Sequence, residues 1–243
     1  MRKILITGGF GKIAKHFVQN FEHKYEITVA DIVTNNKTYS DKVRIEKVDL
    51  TDFSACLNLC KGMDTIVHLA GIANANATFA EVLNANIIAT KNIFESAVNA
   101  KCQRIIFASS AQTIEGYEED LQVNKNMPVR PKNLYGVSKC FGEALAAYYA
   151  YQKETSSICL RIGAYRFPKD FREMNARDLS AFLHPDDFNQ LLIGCIETKN
   201  LKYEVLNAIS NNRYKRLDIT ESKEKVGYKP KSDAFELFKL LAE

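Results

Sequence analysis

The turn Thr7-Gly8-Gly9-Phe10-Gly11, set between a strand-like apolar run and a helix-length segment, constrains this 243-residue chain more than any other feature. Lys3–Thr7 reads as a strand and Lys12–Phe21 as a helix. A glycine-rich turn in that position lets backbone N–H groups approach a pyrophosphate, which then sits at the N-terminus of the following helix. Gly8 and Gly11 supply the tight turning and close approach, and Ala14 takes the third small position, where helix must pack close on strand. Gly8, Gly11, Lys12 and Ile13 are therefore candidate contacts of a dinucleotide. An ordinary glycine turn is the plainer alternative, but this one directly follows a strand and opens a helix, as the motif demands.

The pattern continues. Strands are expected at Glu26–Asp31, Val43–Val48, Thr65–Leu69, Arg104–Ala108 and Ser157–Ile162. Helices are expected at Phe53–Cys60, Phe79–Ala100 and Leu134–Lys153. Strands alternating with helices at this spacing imply βαβ units, hence an α/β fold with a doubly wound parallel sheet of Rossmann type. Short β-branched runs such as Thr65-Ile66-Val67 suit strands buried on both faces. After Ile162 the character changes. Arg166–Arg177 is polar, carries Pro168 and reads as a loop over a site. His184–Ile196 looks helical, with Asp186 and Asp187 suited to the dipole of its first turn. Tyr203–Ala208 reads as a strand and Ser232–Leu241 as a final helix. The expected division is a nucleotide-binding core over 1–165 and a small cap over 166–243 that covers the open end of the sheet and does not fold alone.

Three further constellations carry chemistry. Asp31 lies at the end of the second strand, where a carboxylate can accept hydrogen bonds from both adenosine ribose hydroxyls and would repel a 2′-phosphate, favouring NAD over NADP. Asp49-Leu50 either meets the adenine amino group or caps the next helix. Tyr135 and Lys139 are four residues apart, so on a helix they share one face. A free tyrosine titrates near ~10, and the Lys139 ammonium is expected to lower that value toward what a base needs.

The glycine turn, Asp31, Asp49-Leu50, His68-Leu69-Ala70-Gly71, the segment Asn86…Thr90…Asn92, Ser109-Ser110 and Pro131…Tyr135…Lys139…Glu143 together resemble the extended short-chain dehydrogenase/reductase superfamily, of NAD-dependent epimerase/dehydratase type. That resemblance spans residues 4 to about 165. It implies that a serine after the fifth strand, Ser110 with Ser109 as runner-up, partners Tyr135 on a substrate oxygen. It also implies that Lys139 binds the nicotinamide ribose, that Leu69, Ala70, Gly71, Asn86 and Ser109 lie along NAD, and that Ile162 borders the nicotinamide. His68 reads as a satisfied strand-end histidine. Tyr148, Tyr149 and Tyr151 read as packing or as a subunit seam, and the superfamily's habits imply a homodimer.

Within that superfamily, Arg161-Ile162-Gly163-Ala164, the stretch from Arg177 to Phe188 and Val226-Gly227-Tyr228-Lys229-Pro230 resemble uronate dehydrogenases, which oxidise the anomeric carbon of a hexuronic acid to a lactone with NAD. The resemblance puts Arg177 where a guanidinium grips the substrate carboxylate, with Arg172 as fallback. It puts Ala73, Ser110, Ala111, Gln112, Tyr135 and Ala164 at the substrate. Uronate dehydrogenases carry serine at the positions of Ala73 and Ala164 and an Asn-His pair at Ala111-Gln112. A pocket built to bond hydroxyls loses affinity when those partners vanish. Either the substrate differs from a simple hexuronate, or Gln112 and Asn74 supply contacts from new directions.

Composition excludes other classes. A net charge of +4 without runs of like charge argues against a nucleic-acid or membrane-surface partner. No stretch reaches the roughly 18 apolar residues of a membrane helix, and Met1–Gly8 reads as a strand entering a turn, not a signal peptide. The six cysteines are scattered and the four histidines dispersed, so no metal-ligand cluster is expected and reduced thiols in the cytoplasm are. The expected activity is NAD-dependent oxidation of a sugar or sugar acid. The alternatives are a nucleoside-diphosphate-sugar epimerase or reductase and an NAD-responsive binding protein without catalysis.

Overall fold

The computed structural model describes residues 1–35, 37–170 and 174–238. Its main sheet contains β1 (Lys3–Thr7), β2 (Glu26–Asp31), β3 (Arg44–Lys47), β4 (Thr65–His68), β5 (Arg104–Ser110), β6 (Ser156–Ile162) and β9 (Tyr203–Ala208). The strand order is β3-β2-β1-β4-β5-β6-β9, and every neighbouring pair is parallel. A short parallel pair, β7 (Ala164–Tyr165) with β8 (Phe182–Leu183), stands apart from it. The α/β doubly wound architecture expected from the sequence is present.

Period-two alternation assigns each side chain to a face. From β1, Ile4 and Ile6 join Phe17 and Val18 of α1 (Lys12–Phe21) and Leu191 and Leu192 of α7 (Pro185–Glu197). Leu5 points the other way, into a core shared with Cys56 and Leu59 of α2 (Phe53–Cys60), Phe94 of α4 (Ala89–Asn99) and Ala146 and Tyr149 of α5 (Leu134–Lys153). Both faces are therefore dry, which is why β1 and β4 carry consecutive buried apolar residues at Ile4-Leu5-Ile6 and Ile66-Val67.

Three expectations need correction. The helix expected over Phe79–Ala100 is α3 (Phe79–Val82), a π-helical stretch Leu83–Ile88, and then α4. Its start is fixed by a capping box in which Thr78 and Glu81 bond each other's backbone. The widened turn lets Asn86 reach across to the backbone of Ile72 and to Ser138, a task that a regular helix would assign to a different direction. The loop expected over Arg166–Arg177 holds a 3-10 turn at Pro168–Asp170 and the start of α6 (Ala176–Ser180), so Arg177 sits on a helix capped by Asn175. Of the helix expected at Ser232–Leu241, α9 (Ala234–Leu237) is seen, and the residues after 238 lie outside those described. A short helix α8 (Thr220–Val226), closed by Gly227, had no sequence expectation.

The segment between β5 and α5 is joined to the C-terminal region. Ile114 and Val123 share a small core with Ala181, Ile209, Leu217 and Ile219. The buried Arg216 guanidinium donates to the carbonyls of Tyr117 at 2.8 Å and Leu121 at 2.6 Å, and also to that of Glu118.

Candidate active site

Strand order reverses between β1 and β4, and the crevice outside their carboxyl ends is where an open α/β sheet binds ligands. A cavity of about 490 Å³ lies there, lined by Gly8, Gly11, Asp31, Asp49, Leu50, Leu69, Ala70 and Gly71 among others. Gly8 has φ +68°, and a Cβ on it would lie 2.7 Å from Ala70 N, so the backbone of two βα turns meets where a side chain would stand. Asp31 accepts from Phe10 N at 3.0 Å and from Val33 N at 3.3 Å, keeping further lone pairs for the cavity it lines. Asp49 accepts from the backbone and hydroxyl of Thr51, and these bonds hold its carboxyl below the ordinary range. Asp52, not Asp49, caps α2. Backbone cradle, carboxylate and apolar wall fit a dinucleotide. Lys12 and Ile13 lie outside the lining, and Ile13 packs against the core. Asn86 also turns away, because its amide is spent on Ile72 and Ser138; it positions the Gly71–Ile72 turn beside the cavity.

Helix α5 carries Tyr135 and Lys139. Asn133 caps it by accepting from Gly136 N at 2.7 Å, which sets Tyr135 in the first turn. Gly142 lets the helix lie hard against β5, since a Cβ there would come within 2.2 Å of the Phe107 ring. Lys139 is then 4.9 Å from the centre of the Phe107 ring and 5.7 Å from that of Tyr135. A Cβ on Gly71 would lie 3.5 Å from its Nζ, so Lys139 stands behind the wall of the first cavity. Burial governs both groups. It pushes Lys139 down to about 8 and holds the Tyr135 phenol above its ordinary value, against a smaller opposing effect from the Ser110 hydrogen bond. The lowering of Tyr135 expected from Lys139 is not seen: burial raises the phenol, and the opposing effect comes from Ser110. Ser109 is not available to a ligand: its Oγ donates to Glu143 Oε1 at 2.6 Å. Ser110 is the serine that meets Tyr135.

A second cavity of about 320 Å³ adjoins Tyr135, lined also by Ala73, Ser110, Ala111, Gln112, Ile162, Gly163, Ala164, Arg166, Arg177 and Asp178. Ile162 therefore borders this space and not the first. Gln112 Oε1 accepts from Asn133 Nδ2 at 2.7 Å, tying the cavity wall to the α5 cap. Asn74 Oδ1 accepts from Asn76 N at 3.0 Å within its own turn, and Asn74 is not among the residues that line the cavity. Arg172 lies outside the described residues. Arg177 is in place but engaged. Its Nε donates to Glu115 Oε1 at 2.8 Å, its Nη2 to Glu115 Oε2, and its Nη1 to Asp178 Oδ1 at 3.0 Å. Glu115 went unnoticed in the sequence because it is 62 residues from its partner and carries no local signal.

The model of the NAD dependent epimerase/dehydratase family matches residues 4–184. The chain belongs to that family. It is an NAD-dependent oxidoreductase of the extended short-chain type. A uronate dehydrogenase of Pseudomonas putida is 31% identical over 99% of this chain and 88% of its own length. An L-arabinose 1-dehydrogenase (NAD(P)(+)) of Haloferax volcanii is 30% identical over 96% of this chain and 98% of its own. A crystal structure of an Agrobacterium tumefaciens uronate dehydrogenase variant complexed with NAD superposes with a TM-score of 0.91 at 30% identity, covering 100% of this chain and 89% of that one.

His68 has the structural role expected of it. Fully buried, it bonds Thr7 Oγ1 at 2.7 Å and Thr90 Oγ1 at 3.1 Å, and burial, with Lys139 nearby, pushes it down to about 3. Between that value and the ordinary ~6.5 the unfolded chain holds a proton that the folded chain refuses, so stability falls as pH drops. Going from pH 6.5 to pH 5, this group is expected to remove about 2 kcal/mol. Urea midpoints at both pH values should show that loss in the parent and not in His68→Gln; equal losses would refute the assignment.

Proposed function

We propose that this enzyme oxidises the anomeric C–OH of a cyclic sugar or sugar acid to a lactone. The observation that carries the reading is that one helix serves both cavities: α5 places Tyr135 in the wall of the second and Lys139 behind the wall of the first. NAD, when bound in the first cavity, is the hydride acceptor. Ser110 and Tyr135 hold the substrate oxygen, and Tyr135 Oη takes its proton as the carbon–oxygen double bond forms. Lys139, close to both, is the group whose charge would favour the phenolate during that transfer, and its ammonium would also hold the nicotinamide ribose. Asp31 selects the unphosphorylated ribose.

Relatives that oxidise a sugar acid and a neutral sugar support the anomeric carbon as the shared target. The size of the second cavity favours a monosaccharide over a nucleotide sugar. We further propose that the enzyme works in the cytoplasm as a homodimer seated on α5, which leaves Val137 49%, Tyr148 49% and Tyr151 56% exposed. No described helix is long and apolar enough to cross a membrane.

The test is NADH formation across neutral aldoses, hexuronates and nucleotide sugars, with sedimentation of the same preparation. Lactone-forming turnover of a free sugar by a two-chain particle is expected. Turnover confined to nucleotide sugars would favour the epimerase or reductase alternative. NAD binding without any turnover would favour a binding protein, and a single-chain mass would remove the dimer.

A further inference from the structure

The second cavity has a guanidinium where a carboxylate-bearing substrate would need one, yet every nitrogen of that guanidinium already donates to a carboxylate of the chain. Glu115 takes the Nε–Nη2 edge, one of the two edges whose parallel N–H groups match a carboxylate, and Asp178 engages Nη1 on the other. We infer that Glu115 sets the substrate class: it stands in for a substrate carboxylate at Arg177 and so reserves the cavity for neutral, polyhydroxylated sugars over hexuronates. The inference rests on the reading of the site as a sugar dehydrogenase.

Charge and burial support it. Arg177 with Glu115 and Asp178 sums to one negative charge, a poor host for a further anion. The Arg177 and Glu115 side chains are only 14% and 13% exposed, so a hexuronate entering the fork would strand the Glu115 charge where water screens it little. Burial disfavours the Arg177 charge, but hydrogen bonds and attraction from Glu115, then Asp178, outweigh this and hold its pKa above the ordinary value. Neutral hydroxyls meet no such obstacle, since Asp178 lines the cavity and its oxygens accept hydroxyl donors. Among the described residues Arg166 is the other cation of the lining, but its side chain is 46% exposed and its Nη2 faces Asp178 Oδ2 at 3.9 Å. Ala73, Ala111 and Ala164 offer a carboxylate nothing.

The test uses pairs that differ only at C6: glucose with glucuronate, and galactose with galacturonate. The parent enzyme is expected to favour the neutral member in kcat/KM by at least about tenfold, and Glu115→Gln to shift that ratio toward the uronate by about 100-fold, that is, about 2.7 kcal/mol. A parent that prefers uronates overturns the inference, all the more if Arg166→Ala removes the preference, since Arg166 would then be the anchor. An unchanged ratio in Glu115→Gln, with Glu115→Ala as a second variant should the first fold poorly, overturns it too. A readout independent of turnover separates this from the reading beneath it. Calorimetry of glucuronate binding to Tyr135→Phe with NADH present should show at least about tenfold tighter binding once Glu115→Gln is added. No tightening there refutes the role of Glu115. Silence of every sugar in the turnover assay refutes the dehydrogenase reading instead, and the calorimetry still decides Glu115.

Discussion

Tyr135→Phe is expected to lower kcat by about 10³-fold, or about 4 kcal/mol of transition-state stabilisation, while leaving the NAD dissociation constant within about twofold. The substitution removes one oxygen from a side chain that is 9% exposed and leaves the ring, so the α5 packing that holds Lys139 under Gly71 persists. What disappears is the atom that accepts the substrate proton. Because burial holds that phenol above its ordinary value, the free site stores it protonated at neutral pH, and it must release its own proton to solvent as substrate and cofactor fill the cavities before it can accept one from the substrate. Stopped-flow NADH formation and NAD titration check the two halves separately. Retention of more than about a tenth of kcat would refute Tyr135 as the base, and a loss confined to NAD affinity would reassign it to cofactor binding.

The second large effect concerns stability. Glu143 and Arg161 form a buried pair, Nε to Oε1 at 2.9 Å and Nη2 to Oε2 at 2.8 Å, with the Glu143 carboxylate also accepting from Ser109. Arg161 is 3% exposed. Glu143→Ala leaves that guanidinium charged and unpaired, which costs about 3–5 kcal/mol, a large part of the ~5–15 kcal/mol that holds a domain together. Replacing both members with apolar residues, as in Glu143→Leu with Arg161→Met, is expected to recover most of the loss, since two desolvated charges are then removed together. Urea unfolding of the two variants decides the matter: a loss below about 1 kcal/mol in the single variant, or no recovery in the double, contradicts the argument. Ser109, which precedes Ser110, would lose its acceptor as well, so kcat should fall alongside stability.

What the sequence disclosed and what it concealed divide along a physical line. The glycine turn, Asp31 and the Tyr135–Lys139 spacing were legible because each is a local pattern whose meaning follows from strand and helix geometry. The two-faced burial of β1 and β4 was legible for the same reason. The π-helical turn at Leu83–Ile88 was not, because the apolar periodicity of Phe79–Ala100 runs through it and the cause lies in Asn86 reaching Ile72 and Ser138. The direction of the Tyr135 shift was not legible because spacing shows the nearby charge but not the burial that raises the phenol. Glu115 was missed since a pair formed across the cavity rim has no trace in either local stretch, and Ser109 was over-assigned because its partner Glu143 arrives from the next helix.

Strand order has a consequence for how this enzyme is made. The partner of β6 on its outer side is β9, whose residues 203–208 are synthesised well after those of β6. Until they emerge, β6 offers a bare row of backbone donors and acceptors, the kind of edge that recruits strands from other chains. The hazard is greatest for a nascent chain that holds everything through β6 but not yet β9, and a ribosome that stalls between the two would release a product with its glycine turn already formed yet prone to self-association.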